Sequence, residues 1–84
     1  MTFYFTYGTD GQPFVGGWTE VEAPDASAAC AVFRLYHPDK TPGILNCSSV
    51  YKEDEFKASS MYESGNFGRR CHETITLRHT LHIV

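Results

Sequence analysis

Residues 24–38 hold the strongest constraint on what this chain can fold into. Pro24-Asp25 opens the stretch and Pro38 closes it, and Ala26 to Tyr36 between them are good helix formers. Asp25 suits the N-cap, where a carboxylate accepts from free backbone N–H groups of the first turn. Ala29, Val32, Phe33 and Tyr36 recur at the spacing of one apolar helix face. The residue before Pro38 is pushed out of helical geometry, which ends the element. Cys30 falls within the pattern as a small core residue. An apolar stripe of this kind needs a second layer, and the rest of the chain reads mainly as strands.

Residues 2–7 are aromatic and β-branched, with Phe3, Phe5 and Tyr7 on one face and Thr2, Tyr4 and Thr6 on the other. The turn-rich Gly8–Pro13 breaks this strand. Phe14-Val15 and then Trp18 to Ala23 resume an extended pattern, with Gly16-Gly17 marking a bulge or bend in a hairpin. Thr19, Val21 and Ala23 share the face expected to meet the core, and Trp18, Glu20 and Glu22 share the polar face. Trp18 is therefore expected to fold over the hairpin edge or to stand at the surface as a contact residue.

Ile44 to Tyr51 reads as a third strand, and residues 52–62 as a short charged helix with Phe56 and Met61 facing inward. Ser64–Gly68 reads as a loop. The C-terminal segment alternates Ile75, Leu77, His79, Leu81 and Ile83 against Thr74, Thr76, Arg78, Thr80 and His82, a strand signature. The expected fold is one α+β domain spanning 1–84. It has a small antiparallel sheet packed against one long and one short helix, in the order β-β-α-β-α-β.

At 84 residues the core is thin, and twelve aromatic side chains help to fill it. The N-terminus lacks a basic n-region and an apolar h-region, and no apolar run approaches the ~18 residues of a membrane span. A cytoplasmic location is the expectation, with the three cysteines, Cys30, Cys47 and Cys71, reduced. The net charge of −3 is unevenly spread. Residues 1–33 carry Asp10, Glu20, Glu22 and Asp25 and no Lys or Arg, whereas 34–84 carry seven basic and six acidic groups. This balance opposes direct nucleic-acid binding and favours a basic partner for the acidic half.

Four constellations could carry chemistry. Tyr36-His37-Pro38-Asp39-Lys40 resembles the His-Pro-Asp loop of J-domains, the modules that stimulate Hsp70 ATPases. A J-domain continues directly into a long apolar helix, whereas Thr41-Pro42-Gly43 leads here into a β-like segment, so the stretch reads as a helix stop. Cys71-His72 with Cys47, His79 and His82 supplies ligands of the kind zinc prefers. No Cys-x-x-Cys knuckle is present, however, and on a strand His79 and His82 fall on opposite faces. Cys47 or Cys71 with a histidine would be a candidate nucleophile, the latter activated by Arg69, Arg70 and His72. Tyr4, Tyr7, Phe14 and Trp18 would form a stacking platform for single-stranded nucleic acid, but Glu20 and Glu22 beside them repel phosphate. The sequence carries no phosphate-cradling glycine loop. It assigns no catalytic residue and no cofactor, and the expectation is a non-enzyme.

The opening Phe3-Tyr4-Phe5-Thr6-Tyr7-Gly8, the Ala-rich helix ending near His37-Pro38-Asp39, and Asn46-Cys47-Ser48-Ser49-Val50-Tyr51 carry a resemblance of the whole chain. It is similar to short proteins of no defined activity from phages and mobile elements of Gram-positive gut bacteria. Small acidic proteins of such genomes often inhibit host defence enzymes, CRISPR nucleases among them. The resemblance thus implies a protein-binding inhibitor whose partner is a nucleic-acid-binding host enzyme. On the residues, Trp18, Glu20, Glu22 and Asp25 form the expected contact set, since Trp is typical of interface anchors. The alternative expectation is a small zinc- or nucleic-acid-binding regulator using Arg69, Arg70, Cys71 and His72. The aromatic hairpin also allows homodimerisation by edge pairing.

Overall fold

The aromatic run at the start of the chain becomes an inner strand, β1 (Thr2–Thr6), with side chains buried on both of its faces. The computed structural model describes residues 1–76. β2 (Trp18–Glu22) pairs antiparallel with β1, Thr2 opposite Glu22 and Thr6 opposite Trp18. The chain then forms α1 (Ala26–Tyr36), β3 (Ser49–Lys52), α2 (Glu53–Ala58), α3 (Ser60–Ser64) and β4 (Cys71–Thr76). β3 pairs antiparallel with the free edge of β1, β4 pairs parallel with β2, and the sheet order is β3-β1-β2-β4.

The sheet is therefore mixed, not antiparallel throughout, and the reason lies in the connections. Two antiparallel steps across β1 leave β3 running in the direction of β2, and β4 follows β2. Parallel strands cannot be joined by a tight turn and need a crossover of a dozen or more residues, usually helical. Residues 23–48, carrying α1, and 53–70, carrying α2 and α3, are those crossovers. They pass on opposite faces, so helices cover both sides of the sheet.

Under α1, Phe3, Phe5, Tyr7, Val21, Ala23, Ile75, Ala29, Val32 and Phe33 form the main core, with the rings of Phe5 and Phe33 stacked at 4.3 Å. α1 has the bounds its sequence predicts, and Asp25 Oδ1 accepts from the Ala28 N–H at 2.8 Å. Tyr36, expected on the apolar stripe, is exposed, because the core under α1 ends at Phe33. On the opposite face Tyr4, Trp18 and Phe56 form a second cluster, backed by Tyr51 and Met61. Tyr4 and Phe56 stack at 4.4 Å, and Trp18 meets Phe56 edge-on at 4.8 Å.

Two further expectations are corrected. The third strand begins at Ser49, not at Ile44, because the Pro42-Gly43 turn closes Thr41 onto Ile44 and leaves Ile44 exposed. The single helix over 52–62 is two short helices broken at Ser59, so the described residues hold three helices. The Ser59 backbone is extended and its hydroxyl donates to the Phe56 carbonyl at 2.6 Å, competing with helical pairing. The strand expected over 74–83 is described only as far as Thr76, and Leu77 to Val84 lie outside the described residues. Among the described residues, no helix is long and apolar enough to cross a membrane.

Candidate functional site

The four residues expected to form a contact face each have an internal role. Trp18 is 3% exposed beneath α2, and its indole N–H donates to Glu20 Oε2 at 3.0 Å. It neither folds over the hairpin edge nor stands at the surface. Glu22 accepts from the Met1 amino group and from the Thr2 hydroxyl, each at 2.6 Å. Those bonds hold its carboxyl below the usual carboxylate range. Asp25 caps α1. The sequence places the carboxylates on one strand face correctly, but that face is covered at the Trp18 end and open only toward Glu22.

The stacking platform dissolves in the same way. Tyr4, Tyr7 and Trp18 are buried, and Phe14 lies parallel to the His72 ring at 4.2 Å. Burial pushes the Tyr4 hydroxyl up to about 12, with the Glu20 carboxylate adding to the effect. The Tyr7 hydroxyl is also raised, again chiefly by burial.

The zinc and thiolate candidates do not converge. A register shift in the β2–β4 pairing sets Trp18 opposite Cys71 and Thr19 opposite Glu73, passing over His72. His72 Nε2 lies 3.0 Å from the Gly16 carbonyl oxygen, whereas the Cys71 thiol donates to the Glu73 carbonyl at 3.2 Å and neighbours Thr74. Cys47 packs against the core under α1. Among the described residues, no three His, Cys, Asp or Glu side chains are placed to hold a metal ion. His79 and His82 lie outside the described residues. Neither thiol is activated. Desolvation pushes Cys71 up despite the exposure of the residue as a whole, and Glu20 adds to it. Burial pushes Cys47 up to about 11, with Cys30 adding to it. The lowering expected from Arg69, Arg70 and His72 is not what Cys71 experiences.

Of the His-Pro-Asp stretch, His37 turns inward and Pro38 is exposed. His37 ends α1, its N–H donating to the Phe33 carbonyl, and its Nε2 lies 2.5 Å from Glu73 Oε2. The same carboxylate oxygen accepts from the Thr19 hydroxyl at 3.2 Å, and Thr19 Oγ1 lies 2.6 Å from the Tyr7 hydroxyl. Thr19 has one proton and gives it to the carboxylate, so Tyr7 must donate to Thr19. This chain of bonds fastens the end of α1 to β4 across the core. Asp39 accepts from Arg34 Nε through both carboxylate oxygens, Lys40 Nζ donates to the Gly11 carbonyl, and a turn follows instead of a second long helix. Each of these polar groups is engaged in holding the loop.

The nucleic-acid candidates Arg69 and Arg70 lead to a different surface. Asn66 and Arg69 pair through both backbone N–H groups, at 2.8 and 3.1 Å, closing a two-residue turn. Both central residues have positive φ, Phe67 at 55° and Gly68 at 74°. This is the requirement of a type I′ turn, ordinarily met by Asn, Asp or Gly. The turn is fastened to the sheet by Asn66. Its Nδ2 donates to the Tyr7 and Gly17 carbonyls at 2.9 and 3.1 Å, and its carbonyl accepts from the Gly17 N–H at 2.9 Å. The Phe67 side chain stays largely in solvent, the residue being 71% exposed. Val15, next in the chain to the Gly16 that packs under the turn, is 47% exposed.

Phe67 was not singled out by sequence. Its signal is an aromatic between Asn66 and Gly68, where turn chemistry favours small or polar residues. Compared with protein-family models, curated proteins and solved structures, the chain finds no match.

Proposed function

We propose that this chain is a non-enzymatic protein-binding module whose contact centre is the Asn66–Arg69 turn. One observation carries the reading: a bulky aromatic residue, Phe67, is held in left-handed backbone conformation and exposed to solvent. A non-glycine residue in that region costs about 1–3 kcal/mol, and such strain clusters at binding sites. Asn or Gly would make the same turn with less strain, and the exposed ring gains little burial in exchange. Aromatic and Arg side chains are enriched at the cores of protein interfaces, and Arg69 and Arg70 adjoin Phe67. Asn66 fixes the turn before any partner arrives, which lowers the ordering cost of binding.

The partner class we propose, a host defence enzyme with nucleases included, follows from the resemblance expected of the sequence and from nothing else. The Cys47 and Cys71 thiols, harder to ionise than usual, and the internally satisfied His37 and Glu73 favour recognition over reaction. The test is affinity capture with tagged protein from a lysate of a Gram-positive host. Wild type is expected to retain a discrete protein that Phe67→Ala recovers at least ~10-fold less well, at unchanged circular dichroism. Equal recovery by the variant, or no recovery by either, would refute the reading.

A further inference from the structure

We infer that the surface met by the Phe67 turn is an acidic protein surface, with an apolar recess for the Phe67 ring bordered by carboxylates that pair with Arg69 and Arg70. The inference rests on the reading that this turn is the contact centre. Its support is a local reversal of charge. The chain carries −3 overall, yet residues 64–72 contain Arg69 and Arg70 and no Asp or Glu. Both arginines are exposed. Among the described residues neither makes an ion pair, whereas Arg34 is matched by Asp39 and Lys57 by Glu53. Among the described residues, Arg70 donates through Nη1 to the Tyr62 carbonyl at 3.3 Å and makes no further side-chain hydrogen bond. The fork of a guanidinium fits a carboxylate through two parallel bonds, which makes two adjacent arginines a specific reader of an acidic surface. Phe67 supplies the apolar part of the patch.

Two other occupants fit the patch less well. A nucleic acid would meet one exposed stacking ring and two phosphate contacts, because Tyr4, Tyr7 and Trp18 are buried. A second copy docking through the same patch would set Arg69 and Arg70 against themselves, a like-charge contact that opposes a two-fold interface.

The experiment is a titration of 15N-labelled protein at low ionic strength with two probes, a random copolymer of glutamate and tyrosine and a 15-residue oligothymidylate. Sedimentation analysis of the protein alone accompanies it. The copolymer is expected to shift the amides of Phe67, Arg69 and Arg70. Its affinity should fall at least ~10-fold on Arg69→Glu/Arg70→Glu and should weaken strongly in about 0.5 M salt. The inference is overturned if the copolymer leaves these amides unmoved or binds the double variant equally well. It is also overturned if the oligonucleotide binds them more tightly, or if the protein dimerises through them. Lysate capture that depends on Phe67 but survives the double substitution keeps the contact centre and removes the acidic partner. Capture indifferent to Phe67→Ala removes the contact centre itself.

Discussion

Gly17 and Phe67 both sit at positive φ, for opposite reasons. Gly17, at 66°, donates to the Asn66 carbonyl and accepts from the Asn66 side chain, joining the end of the first hairpin to the later turn. A Cβ there would run into the Arg70 carbonyl oxygen and come within 2.7 Å of the His72 ring. Gly17→Ala is therefore expected to lower the unfolding free energy by about 2–4 kcal/mol, read from urea denaturation. A loss below about 0.5 kcal/mol would mean that the two loops are not locked together there. At Phe67 space is open and only the backbone resists, so nothing internal explains a large ring. The sequence shows the Gly16-Gly17 pair and the Asn66-Phe67-Gly68 turn residues plainly. It does not show that the two meet, since they lie 49 positions apart in the chain.

Among the elements, α2 depends on one side chain. It has six residues, and Phe56 alone is buried, lying against Tyr4 and Trp18. Phe56→Ala is expected to cost about 3–5 kcal/mol. It should also shift Trp18 fluorescence to the red as the indole hydrates, while the α1 contribution to the far-ultraviolet spectrum persists. Unchanged Trp18 emission would mean that something other than Phe56 shields it. The element also shows where sequence reasoning stops. The bounds of α1 are legible because Asp25, the Ala-rich stripe and Pro38 are local signals. The burial of Trp18 is not, because period-two alternation groups it with Glu20 and Glu22 and cannot tell that α2 covers one end of that face. The parallel pairing of β4 is likewise hidden, since direction follows from two crossovers and not from the alternation within the strand.

Across the whole molecule the buried hydroxyls and thiols make the fold sensitive to alkali. Cys47, Tyr4 and Tyr7 are each more easily ionised unfolded than folded, because burial disfavours their charged forms. The unfolded chain thus binds fewer protons at high pH, and stability falls as pH rises. The decline is expected to begin above the ordinary thiol value of about 8.5. It should continue as pH passes about 11 for Cys47 and about 12 for Tyr4. Thermal melts between pH 7 and pH 11 check it, and Cys47→Ala combined with Cys71→Ala should remove the earliest part of the slope. A melting temperature that rises over this interval would contradict the burial of these groups.

Charge is arranged on the same scale. An acidic molecule presents one short basic, aromatic turn, braced by Asn66 against Tyr7 and Gly17. On this account the turn gives up internal stability for recognition, so the two properties should separate in one substitution. Phe67→Asn keeps the turn and relieves the backbone. The measurement is its melting temperature beside its affinity for the glutamate–tyrosine copolymer. The variant is expected to be more stable than wild type, by about 0.5–1 kcal/mol, and to bind several-fold more weakly. A variant that is less stable, or that binds as tightly as wild type, would contradict it.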